Sequence, residues 1–184
     1  MAKVGLEYVF AGKMGGAENK YTNKTQIGLA IKADVKLNKD SASLDQENAE
    51  HDKCNMVTGG TISFETGDLS DAVQVFLLGH VQDEETGVVT GNADDVAPFV
   101  GVSSIATKYM DGVYKYKATF LKKVMFSVPD ETDETKKTGS INLGTSTIEG
   151  AILLDDNRDY REYKTFDTLE EAKTWVDGHF TAAA

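Results

Sequence analysis

Cysteine is all but missing: Cys54 is the only one in 184 residues. An internal disulfide framework and a cysteine-built zinc cage are therefore excluded. Small exported domains tend to use disulfides, so folding in cytoplasm is the expectation. Proline occurs only twice, so few strands need be broken by a ring that cannot donate a backbone hydrogen bond. Long apolar runs are lacking too. Nothing approaches eighteen consecutive apolar residues, so no membrane-spanning helix is expected. The opening "MAKVGLEYVFAGKMGG" has neither the apolar core nor the cleavage pattern of a secretory signal. Positive charge is in deficit, with 19 Lys and Arg against 30 Asp and Glu and a net charge of −11. A protein that grips nucleic acid needs clustered cations for phosphate contacts, which argues against that class. The same surplus of negative charge keeps a concentrated protein soluble.

What is present is alternation. In "QIGLAIKADVKL" the residues Ile27, Leu29, Ile31, Ala33, Val35 and Leu37 alternate with polar or small ones, which predicts one long strand with a dry face. "GTISFE" repeats the scheme with Ile62 and Phe64, making the two runs the arms of a β-hairpin. Between them lies the polar stretch Asn38–Met56, read as a long protruding loop. In "GVYKYKATFLKKVMF", Tyr114, Tyr116, Ala118 and Phe120 share a face opposite Lys115, Lys117 and Thr119. "SINLGTSTIEGAILL" changes parity between Ile141/Leu143 and Ile148/Ile152/Leu154, which predicts a bulge near Gly144. "APFVGVSSIATKYM" and "VGLEYVF" complete the strands.

Two helices are predicted. "DLSDAVQVFLLGH" places Leu69, Val73, Phe76 and Leu77 on one stripe between an Asp68 or Ser70 cap and the terminator Gly79. It is short and apolar, suited to plugging an open side of the sheets. "DTLEEAKTWVDGHF" carries the capping-box pattern Thr168-x-x-Glu171 and a stripe of Leu169, Ala172 and Val176. Being terminal, it is expected to pack more loosely. The sum is one mainly β domain over residues 1–184, a β-sandwich or partly closed barrel with one short flanking helix and a C-terminal helix.

Catalytic patterns do not converge. His51, His80 and His179 make no metal-ligand pair at helical spacing. "GVSSI" and "GTSTI" break the G-x-S-x-G elbow at its last position, and "GKMGGAENK" lacks the P-loop ending. Asp155, Asn157 and Asp159 open like a calcium loop, but Tyr160 and Phe166 stand where Gly and Glu are required. An ordinary acidic turn is the better reading there, and "DETDETKK" from Asp130 reads as a solvated hairpin tip. No enzyme, cofactor or metal is expected.

Seven blocks appear in a fixed order: "VGLEYVF", "IGLAIKADVKL", "GGTISFETGDLSDAVQVFLLGH", "DDVAPFVGV", "GVYKYKATFLKK", "TIEGAILLDDN" and "TFDTLEEAKTWV". In that order they resemble the major tail protein family, phi-thirteen type, of long-tailed phages and prophages of Gram-positive bacteria. The resemblance runs over nearly the whole length. It implies a tail tube protein: a virion subunit, assembled in the host cytoplasm, forming rings of six that stack into the conduit for genome ejection. Implied partners are further copies of itself, a tape measure protein and tail terminator or completion proteins. DNA would pass through without specific binding, and no membrane is involved.

Ring closure by strand pairing would remove the exposed edges of long strands, and head-to-tail stacking would make a filament. The Asn38–Met56 loop is the expected stacking element, mobile in the monomer, with Asp40, Asp45, Glu47, Glu50 and Asp52 as its contact residues. Lys115, Lys117, Lys122 and Lys123 are expected to meet acidic loops of a neighbouring subunit, a solvated strand face being the alternative. Two other functions remain open: the inner tube of a contractile injection system, and a carbohydrate-binding β-sandwich, which would want an exposed aromatic platform.

Overall fold

The computed structural model describes residues 2–15, 20–46, 49–110, 112–130 and 145–180, with side chains left aside at 2–3, 42–46, 49–54 and 110. The expected bulge near Gly144 and nearly all of the acidic run from Asp130 lie outside the described residues. The elements are β1 (Ala2–Met14), β2 (Tyr21–Gln26), β3 (Ala30–Gln46), β4 (Ala49–Thr66), α1 (Asp71–Leu78), β5 (Val81–Gln82) and β6 (Val89–Thr90). They continue with β7 (Val100–Met110), β8 (Val113–Phe126), β9 (Ser146–Leu153), β10 (Arg161–Phe166) and α2 (Leu169–Asp177). The fold is mainly β and sandwich-like.

One antiparallel sheet runs β2-β1-β7-β8-β9-β4-β3, while β5 and β6 form a separate small ribbon. The sheet forks at β8. One edge of β8 pairs with β7; the other is shared, β10 meeting Tyr116–Leu121 and β9 meeting Lys123–Phe126. Between the two halves lies the core: Val9 and Ala11 of β1, Ile62 and Phe64 of β4, Val100 and Val102 of β7, and Ile148 and Ile152 of β9. Each of the Val, Ile and Phe side chains taken from water contributes about 1.5–3 kcal/mol.

Two irregularities set which side chains turn inward. On β1 the register shifts between Glu7 and Phe10, where Tyr8 has φ 58°. Leu6 before the shift and Val9 and Ala11 after it therefore reach the same core. On β8 the shift opposite Val100 and Val102 lets Leu121 and Val124 both join that core, whereas Ala118 belongs to the outer cluster under α2.

The helix α1 plugs the sandwich as its stripe predicts: Val73, Leu77 and Leu78 are buried and Phe76 packs beside them. Ser70 is its N-cap by position, although its side chain makes no capping bond, and Gly79 ends it at φ 79°. In α2 the Thr168 hydroxyl oxygen accepts the Glu171 N–H at 3.3 Å. That helix packs tightly, against expectation. Ala172 and Val176 are fully buried with Ile105 and Ala118, because small residues on both elements allow close approach.

Two readings of the β-structure need correction. The run from Gln26 is not one strand: Gly28, at φ 62°, turns the chain, and β3 begins at Ala30. Ile27 is wholly buried, yet Leu29, Ile31 and Val35 are 81%, 57% and 43% exposed, so much of the predicted dry face is uncovered. The protruding loop is also not a loop. β3 and β4 stay paired from Asn38↔Gly59 through Leu44↔Asp52 to Gln46↔Ala49, with bulges on the way. Backbone pairing is indifferent to side-chain polarity, which is why a polar stretch can continue a ladder.

Candidate functional site

Two features stand out from the sandwich: the polar arm and an uncovered stretch of the interior. The arm is the part of the β3–β4 hairpin beyond Asn38 and Gly59. It leaves the sheet there because β9 accompanies β4 only from Gly60 to Thr66. Gly59 adopts φ 145°, and a Cβ at Gly60 would lie 2.4 Å from the Lys36 carbonyl oxygen, so both positions require glycine. From that point the arm is a two-stranded ribbon roughly 25 Å long. Of the acidic residues expected to make contacts, Asp40 is exposed opposite Met56. Asp45 pairs with Glu50 and Asp52 with Leu44 along the backbone. Glu47 lies outside the described residues.

The second feature is a trough of about 510 Å³. Ile62, Val102 and Leu121, all buried, form its floor, while Val4, Ile31 and Val35 rise exposed at its walls. It sits toward the start of β1, away from α1. Lys13, near the other end of β1, pairs with Val100 and lies 5.2 Å from the Phe76 ring of the helix. The sandwich is thus plugged at one end and open at the other. Lys108, Lys117 and Arg161 stand at the open end.

The predicted basic strand divides. Lys115 forms an ion pair with Asp167 of the same chain. Lys117 stands at the trough with its ammonium 4.2 Å from the Tyr163 ring, and Lys123 lies 4.7 Å from the ring of Phe99. Lys122 is turned into its own chain. Its side chain is 7% exposed, and its ammonium meets Asp159 at 2.8 Å, Glu162 at 3.0 Å and Asp155 at 3.4 Å. The parity shift on β8 carries it beneath the Asp155–Tyr160 turn, something strict alternation could not reveal.

This cluster pins the outer face. Asp155 Oδ1 accepts the Asp159 N–H at 2.7 Å, closing the turn. Its Oδ2 is buried and reaches the ammonium without forming a hydrogen bond. Burial alone would lower the Lys122 pKa, but the bonds to Asp159 and Glu162 and the charges around it outweigh that and hold it above the ordinary lysine value. Burial would likewise raise Glu162, yet Lys122 and His179 hold it below the usual glutamate value. His179 places Nε2 3.2 Å from Glu162, sets Nδ1 3.0 Å from the Trp175 carbonyl oxygen and stacks on Phe120. Tyr21 donates its hydroxyl to the Lys122 carbonyl oxygen at 2.7 Å, and burial pushes that phenol up to about 12. The acidic turn that resembled a calcium loop thus faces Lys122, whose ammonium brings it positive charge. Among the described residues, no group of three or more His, Cys, Asp or Glu is placed to hold a metal ion.

Trp175 packs against Phe166 and His179, with ring centroids 6.1 and 4.5 Å away, and is half-buried at the α2 interface, where it lines a surface cleft with Phe166. No helix among the described residues is long and apolar enough to cross a membrane. No family model matches the chain, and no curated protein matches its sequence.

Proposed function

We propose that this chain is a structural subunit that assembles with copies of itself, stacking in rings as the tail tube of a long-tailed phage. The observation that carries the reading is the arm. A two-stranded ribbon is marginal on its own in water, and this one stands clear of the sandwich with mostly polar residues. Such a ribbon gains its order from whatever it lies against. The terminal strands of the sheet, β3 and the part of β2 beyond its bridge from Tyr21 to Phe180, together with β10 beside β8, offer backbone edges for lateral pairing between subunits. The ring number of six, the conduit role and the tape measure and terminator partners rest on the resemblance of the seven sequence blocks.

The test is negative-stain microscopy of purified, concentrated protein. Rings or hollow rods are expected. Monomers that persist at high concentration would overturn the proposal.

A further inference from the structure

We propose that the trough at the open end of the sandwich receives the acidic arm of a second copy of this chain. The inference rests on the self-assembly reading and identifies the surface that would answer the arm. An apolar floor made of Ile62, Val102 and Leu121 continues outward into the exposed Val4, Ile31 and Val35. A core that spills onto the surface in this way marks a contact face. Its walls are strands, suited to a flat ribbon.

The chain's own arm cannot fill it. Ile31 and Val35 of β3 are part of the wall, and the same strand runs on for roughly 35 Å from Val35 to its tip. Charge selects the occupant. The residues lining it include Lys32, Lys108, Lys117 and Arg161 against the single acid Asp34. In the two strands of the arm, Asp40, Asp45, Glu50 and Asp52 outnumber Lys39 and Lys53. Opposite potentials on two faces of one molecule favour the copy-to-copy encounter and fix its register. Because the protrusion and the recess are different surfaces, each copy that receives an arm still offers its own. The contact is heterologous and propagates.

Cys54 lies on the arm, paired with Ala42, and serves as a reporter. Val35→Cys protein, concentrated and treated with a short bis-maleimide, should give a ladder of covalent multimers on a denaturing gel. The Val35→Cys/Cys54→Ser protein should give none. A charge exchange supplies the second arm of the test. Lys108→Glu/Lys117→Glu and Glu50→Lys/Asp52→Lys should each raise the onset concentration of assembly about tenfold, and their combination should restore it. Circular dichroism checks that each variant is folded. Rods without a Cys54-dependent ladder, or a combined variant no better than its parts, would overturn the trough while leaving self-assembly in place. Absence of any assembly by the unaltered protein would overturn both.

Discussion

At the scale of single residues, Lys122 and Tyr21 show what strand alternation conceals. A lysine in a run of lysines reads as a solvated face, yet the shift on β8 turns this one beneath the Asp155–Tyr160 turn. Tyr21 lies in a short strand, "YTNKTQ", with no apolar alternation, and went unread as part of the sheet although its side chain is almost wholly buried. Gly101 makes room for it: a Cβ there would meet the Tyr21 and Phe120 rings at 2.5–2.6 Å. Burial raises the Tyr21 phenol from 10.0 to about 12. Its contribution to stability is intact below pH 10 and is lost as pH rises through 12, because the unfolded chain sheds that proton first. Tyr21→Phe should cost about 1 kcal/mol at neutral pH through the lost hydrogen bond. It should also lose stability less steeply above pH 10 in urea unfolding series. Lys122 gives up its own contribution over an overlapping alkaline range in both proteins, so the difference between them reports Tyr21 together with its coupling to Lys122. Equal slopes would contradict the assignment.

At the scale of elements, the helices were the most legible. The stripe at Val73 and Leu77, the Gly79 stop and the Thr168 cap all stand where their spacing places them. The reason is local: capping and helical periodicity are settled within a few residues. The arm was misread because Asn38–Met56 lacks apolar alternation, and the pairing that orders its backbone comes from the facing strand. The same limit applied to β3, whose exposed Ile31 and Val35 look in sequence like a buried face. Neither the arm nor the trough could be located before the sheet order was known. Deleting residues 41–52 should leave a folded, soluble subunit with a nearly unchanged melting temperature, since the ladder that ties β4 to β9 runs from Gly60 to Thr66, outside the deleted stretch. That subunit should form no rods. Rods of normal length from the deletion variant would remove the arm from the account of assembly.

At the scale of the whole molecule, the charge of −11 and the placement of cations matter together. Lys122 is enclosed by carboxylates, Lys115 and Lys24 pair with Asp167 and Asp177, and Lys123 lies against an aromatic ring. Among the described residues, Lys108, Lys117 and Arg161 gather at the trough, where a docked arm would cover them in the assembly. Assembled material should therefore show no salt-sensitive retention of duplex DNA in a binding assay at low ionic strength. Binding that weakens steeply with added salt would refute that view. The fork at β8 has a mechanical consequence. Tension applied to the arm enters the body through β3 and β4, and from β4 it crosses to β9 and on to β8 along the short ladder of Lys123–Phe126. A pull directed along these strands loads the hydrogen bonds of each ladder in shear, together, instead of peeling them one by one. A tether attached in that way resists being drawn out.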